Sequence, residues 1–234
     1  MRMRIAAFAT ASALSLALVG CTTGKQGAAP GRITEGNVMV RVEAEPGSAE
    51  VTYKGVAVGS TPTSLFLASL NDILAVAAAR PAETWVEKRV RVLSPTEIEV
   101  LFRFGSDPGP LATRLGLGRV LVFDYSSNAT FDVDAYDLKP SMWPLLEEQA
   151  KVLTSTFATL DVHVCGHTDS SGSEAHNLEL SLRRAQSVFA FLTSHGVPAE
   201  RLKVLGLAAE FPLAENTTPE GKARNRRTEL VLPQ

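Results

Sequence analysis

Apolar residues recur at every second position between residues 37 and 104. Val38, Val40 and Val42 follow this spacing, and Val51 and Tyr53 resume it after a turn at 46–47. A period of two places these side chains on one face of a β-strand. Strand-like runs of the same kind lie at 65–67, 73–76, 90–92 and 98–102. Short strands at this spacing predict a small all-β sandwich over residues 37–104.

Residues 119–234 alternate between strand-like and helix-like patterns. Helices are predicted at 141–153, where Pro144 suits the first turn, and at 178–192, before Gly196 and Pro198. The apolar stripe of the second helix consists of Leu178, Leu182, Ala185, Phe189 and Leu192. Strands are predicted at 120–123, 160–164, 202–205 and 228–232. This pattern predicts an α/β (α+β) domain with helices on a mixed sheet.

Two stretches rich in glycine, proline and small residues lie outside these patterns. Residues 21–36 have little apolar content, which predicts a flexible tether. Residues 105–118 predict a linker between the two domains. Gly116 and Gly118 within it do not make a phosphate-binding loop, because a third glycine and the strand–loop–helix context are missing.

Residues 1–20 have the pattern of a secretory signal peptide. Arg2 and Arg4 precede an uncharged stretch at 5–19, which is too short and too rich in Ala and Ser to favour a permanent membrane span. The run Leu18-Val19-Gly20-Cys21 resembles a bacterial lipobox. That resemblance implies cleavage before Cys21 and fatty acyl chains, such as palmitate, that hold the protein to a lipid bilayer. An ordinary signal peptide with a chance cysteine is the alternative.

Composition narrows the partners and the compartment. The net charge of −2, without a strongly basic stretch, argues against nucleic acid as the main partner. The chain has two cysteines, so acylation of Cys21 would leave Cys165 without a disulfide partner in the chain. Thr22 rather than Asp after the cysteine resembles the outer-membrane pattern of enteric bacteria. This implies an anchor in the cell outer membrane and a protein facing the periplasm.

Turn residues of the first domain resemble those of a PEGA domain. The matching stretches are Pro46-Gly47-Ser48-Ala49-Glu50-Val51, Lys54-Gly55 and Val58-Gly59-Ser60-Thr61-Pro62. The resemblance implies no enzymatic activity. We therefore expect this domain to act as a spacer or as a contact for another envelope protein.

Several separated motifs in the second domain resemble the OmpA-like domain of peptidoglycan-associated lipoproteins. They include Phe131-Asp132-Val133-Asp134-Ala135-Tyr136-Asp137-Leu138, Gly166-His167-Thr168-Asp169, Asn177, Leu180-Ser181, Arg184-Ala185 and Asn225-Arg226-Arg227-Thr228-Glu229. The resemblance implies that residues 119–234 bind peptidoglycan non-covalently and so tether the membrane to the cell wall. Ala208 and Ala209 depart from the family, which often has Gly and Glu there.

The resemblance also implies the ligand and its contacts. The family binds diaminopimelate of the stem peptide, whose side chain carries an ammonium and a carboxylate. Carried over to this chain, the acid for the ammonium is Asp169, the guanidinium for the carboxylate is Arg184, and a second acid is Asp134. Arginine suits a carboxylate because its planar N–H groups bind both oxygens. The remaining expected site residues are Thr168, Asn177 and one arginine of the pair Arg226-Arg227. Arg226 is the choice for the site, which would leave Arg227 pointing to solvent, and the reverse assignment is the alternative.

The spacing of these residues supports the same site without the family. Asp169 follows a predicted strand, and a short loop leads from it into the next helix. On that helix Asn177, Ser181 and Arg184 stand at i, i+4 and i+7, which places them on one polar stripe. A structural salt bridge between Asp169 and Arg184, with no ligand, is the alternative interpretation.

Metal and enzyme sites are competing hypotheses. His163, Cys165 and His167 stand at i, i+2 and i+4, so they share one face of a strand and offer zinc-type ligands. A fourth ligand is not evident, so we expect no metal and no cofactor. No nucleophile elbow, HExxH helix or Cys–His signature occurs, so we expect no enzymatic activity. An envelope scaffold, in which the β domain contacts a protein and the C-terminal domain only anchors it, is the alternative function.

Overall fold

The computed structural model describes residues 36–234, so the predicted signal peptide, Cys21 and nearly all of the tether lie outside the described residues. The strands are β1 (Val38–Glu45), β2 (Glu50–Tyr53), β3 (Val56–Ser60), β4 (Thr63–Leu67), β5 (Val76–Ala79), β6 (Trp85–Ser94), β7 (Glu97–Phe104), β8 (Val120–Ser126), β9 (Val162–His167), β10 (Leu202–Gly206) and β11 (Arg227–Pro233). The helices are α1 (Leu70–Leu74), α2 (Pro110–Arg114), α3 (Ser127–Thr130), α4 (Trp143–Ser155), α5 (Glu174–Ser194) and α6 (Pro219–Asn225). Short 3₁₀ turns lie at Pro140–Met142 and Ala199–Arg201.

The strands form two sheets that share one core. An eight-stranded mixed sheet has the order β10-β9-β11-β8-β6-β7-β1-β4, and a three-stranded antiparallel sheet has the order β3-β2-β5. Side chains of both sheets and of α4 and α5 meet in the main hydrophobic cluster, which includes Val51, Val90, Phe123, Leu146 and Val188. The predicted mixed sheet with packed helices is therefore confirmed.

The eight-stranded sheet contains strands from both sides of the predicted linker and joins the two halves of the chain. β6 pairs in parallel with β8, in register from Glu87 opposite Val120 to Val92 opposite Tyr125. The segment 105–118 contains α2, whose Ala112 packs with Val120 beneath the sheet. This differs from the predicted separate sandwich and linker, because a local pattern does not reveal which strand edge pairs with which.

The predicted strand at 73–76 is also different in the structure. Residues 70–74 form α1, and β5 begins at Val76. The Oγ of Ser69 accepts a hydrogen bond from the backbone N–H of Asp72 at 3.1 Å, which caps the helix. Leu70 and Ile73 are both buried, at the i, i+3 spacing of a helix face. A capped turn of helix therefore forms where the short apolar run predicts a strand.

The predicted helices and strands of the second half are confirmed, but the buried face of α5 is rotated. The side chains of Leu178 and Leu182, expected in the core, are exposed, whereas Ser181 and Arg184 are buried. The reason is the close approach of the sheet, since a Cβ at Gly166 would lie 1.9 Å from the carbonyl oxygen of Ser181.

Within residues 36–234 no helix is long and apolar enough to cross a membrane.

Candidate functional site

A cleft of about 760 Å³ opens where β9 ends, between segment 127–139, segment 168–172 and the first turns of α5. All six residues predicted for the site line this cleft, together with neighbours from the same three segments. The predicted residues are Asp134, Thr168, Asp169, Asn177, Arg184 and Arg226. The structure therefore brings together residues that lie up to 92 positions apart in sequence (226 − 134 = 92).

Asp169 is an ionised carboxylate at the base of the cleft. Its Oδ1 accepts a hydrogen bond from the backbone N–H of Ser171 at 2.8 Å, and its Oδ2 accepts one from Nη1 of Arg226 at 2.6 Å. Burial raises the pKa of Asp169, but the hydrogen bonds from Arg226 and Ser171 outweigh burial and leave the pKa below its ordinary value. The site therefore holds a fixed negative charge beside a positive one.

Arg184 projects from α5 into the opposite side of the cleft. Its Nε donates a hydrogen bond to the carbonyl oxygen of Ala135 at 2.9 Å, and its Nη1 lies 3.5 Å from the Oγ of Ser127. Its guanidinium lies 5.2 Å from the ring centre of Phe131. Burial lowers the pKa of Arg184, whereas the charge of Asp134 raises it. An arginine stays protonated at any physiological pH, so the group remains a cation.

Asp169 and Arg184 do not pair with each other among the described residues. The carboxylate of Asp169 pairs with Arg226, and the guanidinium of Arg184 bonds the neighbouring segment through Ala135. The Nη2 of Arg184 has no hydrogen-bond acceptor within residues 36–234. The alternative interpretation as a direct structural salt bridge is therefore wrong for this structure.

Asn177 and Thr168 shape the wall of the cleft. The side-chain amide of Asn177 donates to the carbonyl oxygens of Ser171 at 2.8 Å and Asp169 at 3.3 Å, which fixes the loop that carries the acid. The backbone N–H of Thr168 donates to the carbonyl oxygen of Ala208 at 2.9 Å. The buried Oγ1 of Thr168 has no partner among the described residues. Asn177 therefore orients the loop that carries Asp169, because its side-chain amide already donates to two loop carbonyl oxygens.

The two arginines that follow Asn225 point to different places. Arg226 lines the cleft. Arg227, which was expected to point to solvent, is buried, and its Nε donates to Glu229 Oε1 at 2.6 Å. That expectation is wrong because Arg227 begins β11 and points to the far face of the sheet, which is covered by α2 and by segment 207–213. The buried amide of Asn225 bonds Leu213, Ala214 and Asn216, so it anchors the loop before α6.

Asp134 stands on the segment that forms the outer wall of the cleft. Its backbone has a φ of 57°, which is the left-handed region. Its Oδ1 lies 2.9 Å from Nε2 of His176, which belongs to the first turn of α5. Ser127, Phe131 and His176 also line the cleft, although they are not among the six predicted site residues. Phe131 and His176 stood inside or beside the matched motifs, but nothing in their spacing showed that they would face the cleft.

His163, Cys165 and His167, considered above as zinc ligands, share one face of β9. Cys165 and His167 each contact a different set of residues there. Cys165 packs in an apolar cluster with Val122 and Val231, and burial raises the pKa of its thiol. Nε2 of His167 lies 3.5 Å from Glu229 Oε2, and burial lowers the pKa of His167 to about 4. Among residues 36–234 no group of three or more His, Cys, Asp or Glu side chains could hold a metal ion.

One known protein family matches the part of the chain that contains the cleft. The model of the OmpA family matches residues 130–226, which include all six predicted site residues. The C-terminal part of the chain is an OmpA-like domain. The PEGA resemblance of the first half stays a prediction.

Curated relatives match the same C-terminal part of the chain. The probable lipoprotein YiaD of Escherichia coli is 40% identical over 115 residues, which are 49% of this chain and 52% of that protein. The peptidoglycan-binding protein ArfA of Mycobacterium tuberculosis is 37% identical over 102 residues, which are 44% of this chain and 31% of that protein. The chain thus spans about half the length of YiaD and a third of ArfA.

A third curated relative and one solved structure are similar to the same part of the chain. The outer-membrane lipoprotein YfiB of Pseudomonas aeruginosa is 37% identical over 112 residues, which are 47% of this chain and 66% of that protein. The peptidoglycan-associated lipoprotein from Burkholderia pseudomallei is 30% identical, with a TM-score of 0.41, over 44% of this chain and 86% of that structure. Among these relatives, YiaD is named a probable lipoprotein, ArfA a peptidoglycan-binding protein and YfiB an outer-membrane lipoprotein.

Proposed function

We propose that this protein binds peptidoglycan non-covalently through the diaminopimelate of the stem peptide and so tethers the outer membrane to the cell wall. The observation that carries the proposal is a single cleft with anionic Asp169 and Asp134 and cationic Arg184 on its walls. Relatives named as peptidoglycan-binding proteins support the same class of ligand. The site needs no cofactor and no metal for this role.

The charges of the cleft suit a zwitterionic side chain. The ammonium of diaminopimelate would bind at Asp169, with Asp134 assisting from the outer wall. The carboxylate would bind the guanidinium of Arg184, whose Nε donates to Ala135 and whose Nη1 contacts Ser127 Oγ at 3.5 Å, so that Nη2 and the second N–H of Nη1 are left to bind it. Arg226 holds Asp169 ionised and oriented. Opposite charges at fixed positions favour a ligand that carries both.

The membrane end of the tether is the proposed lipid on Cys21. The lipobox resemblance and the relatives named as lipoproteins support acylation there and a location at the outer membrane facing the periplasm. We expect metabolic labelling with a fatty-acid analogue to mark the wild type and not Cys21→Ala. Equal labelling of the two proteins would exclude this anchor.

Co-sedimentation of the purified full chain with isolated cell-wall sacculi tests wall binding. Loss of one partner of a desolvated charge pair costs about 2–5 kcal/mol. We therefore expect Asp169→Asn or Arg184→Ala to weaken binding roughly 30-fold or more. Arg184→Lys should also weaken binding, because an ammonium cannot replace the planar set of N–H donors.

The matched control is Gln186→Ala, on an exposed position of the same helix. This variant should sediment with sacculi like the wild type. All variants must keep the wild-type circular dichroism spectrum and melting temperature, so that lost binding is not lost folding. Wild-type sedimentation of well-folded Asp169→Asn and Arg184→Ala would show that the site is assigned incorrectly.

A further inference from the structure

The segment 132–137 forms the outer wall of the cleft without being held there by apolar burial. The side chain of Val133 is 96% exposed, and the side chains of Asp132 and Asp134 are 81% and 64% exposed. Asp134 also has a left-handed backbone, a conformation that costs free energy for a residue other than glycine and persists only where surrounding contacts impose it. Polar contacts must therefore hold this wall.

Three contacts clip the segment to one side of α5. The Nε of Arg184 donates to the carbonyl oxygen of Ala135 at 2.9 Å. The guanidinium of Arg183 lies 5.1 Å from the ring centre of Tyr136. The imidazole of His176 bonds Asp134 with an Nε2–Oδ1 distance of 2.9 Å. Of these three, the contact from His176 is the one that reaches a carboxylate of the proposed site.

His176 is itself held in place by the start of α5. Its backbone N–H donates to the Oγ of the capping residue Ser173 at 3.3 Å. A carboxylate is an acceptor without a proton of its own, so Nε2 of His176 must be the donor in the contact with Asp134. The imidazole therefore occupies Oδ1 of Asp134 and leaves Oδ2 to other partners.

We propose that His176 is a positioning residue of this site, which orients the carboxylate of Asp134 so that its second oxygen faces the ammonium of the ligand. This inference rests on the proposed binding of diaminopimelate. His176 acts through Asp134 and needs no contact with the ligand. The contact is exposed, and exposed side-chain pairs contribute only about 0 to 1 kcal/mol to stability. We therefore expect its loss to change ligand binding more than folding.

A double-mutant cycle with the full chain tests the proposal. The probe is the stem tripeptide that ends in diaminopimelate, and affinity is measured by isothermal titration calorimetry. We expect His176→Ala to weaken binding about 3- to 5-fold, with the melting temperature nearly unchanged. His176→Gln should restore most of the affinity, because its side-chain amide keeps a donor near the same place. In an Asp134→Ala background, His176→Ala should have almost no further effect.

The control is His195→Ala, which removes a histidine from the other end of α5, away from the cleft. Its affinity should equal that of the wild type. Equal effects of His176→Ala with and without Asp134 would overturn the proposal, since the two residues would then act independently. If the wild type binds and Asp169→Asn abolishes binding while His176→Ala binds like the wild type, the positioning role fails and the proposed function stands. If the wild type does not bind the peptide, both fail.

Discussion

At the scale of single residues, the neighbouring Arg226 and Arg227, where α6 passes into β11, have different roles, one in the cleft and the other in the buried interior. Arg226 reaches the cleft and pairs with Asp169, whereas Arg227 turns under the sheet. There Glu229 accepts from Arg227 at 2.6 Å and from Arg89 at 2.5 Å, in a network that also contains Asp124. Buried charges are tolerated when they are paired in this way, and removing one partner is costly.

His167 lies at the edge of this network and should make stability depend on pH. Burial and the charge of Arg227 lower the pKa of His167 to about 4, from its ordinary value of 6.5. Between these two pH values the unfolded chain binds a proton at His167 that the folded chain does not bind. The contribution of His167 to the free energy of unfolding is therefore fully present above pH 6.5 and is lost as the pH falls toward 4. The loss by pH 4 is about 3 kcal/mol.

Urea unfolding at several pH values measures this effect. In His167→Gln, the number of protons taken up on unfolding between pH 6.5 and 4 should fall by about one, whatever the stability of the variant at neutral pH. The exposed His195→Gln serves as the control and should keep the wild-type dependence. An unchanged dependence in His167→Gln would contradict the assignment of this proton to His167.

At the scale of elements, local patterns predicted most helices and strands, and contacts between distant segments decided the rest. The helix at 174–194 and the strands around it follow from periodicity and from terminating residues such as Gly196. The same periodicity placed Leu178 and Leu182 in the core, but the sheet passes too close to α5 at Gly166 for that rotation. Such a close approach depends on tertiary packing, which a helical period does not contain.

In the candidate site, too, the sequence predicts the residues but not the contacts between distant segments. Motif positions placed Asp169, Arg184 and Asp134 in one site, and the structure gathers them around one cleft. The partner of Asp169 was not predictable, because Arg226 lies 57 residues further along the chain and reaches it only through the turn from α6 into β11. The contact between His176 and Asp134 spans 42 residues and was missed for the same reason.

At the scale of the whole molecule, one sheet joins the two halves of the described chain. Arg89 of β6 bonds Asp124 of β8 at 3.0 Å and Glu229 of β11 at 2.5 Å, so it crosses the boundary predicted at 105–118. Separating the halves would leave these carboxylates buried or newly exposed without their guanidinium partner. We therefore expect residues 36–234 to unfold as one cooperative unit.

The two tryptophans of the chain report on the two halves, since Trp85 begins β6 and Trp143 begins α4. Fluorescence of Trp143→Phe follows the first half during urea unfolding, and fluorescence of Trp85→Phe follows the second. In each variant the fluorescence midpoint should coincide with the midpoint from circular dichroism. A fluorescence transition of one half at clearly lower urea than the circular dichroism transition would show that the halves unfold independently.

The most direct test of the account is the choice between two stem peptides by the purified full chain. One tripeptide ends in diaminopimelate, and the other ends in lysine, which has the ammonium but lacks the side-chain carboxylate that Arg184 would bind. Loss of that partner should cost about 2 kcal/mol or more. Isothermal titration calorimetry should therefore give an affinity for the diaminopimelate peptide roughly 30-fold or more above that for the lysine peptide. Arg184→Ala should remove most of this preference. Equal affinity of the wild type for the two peptides would contradict the proposed recognition of diaminopimelate.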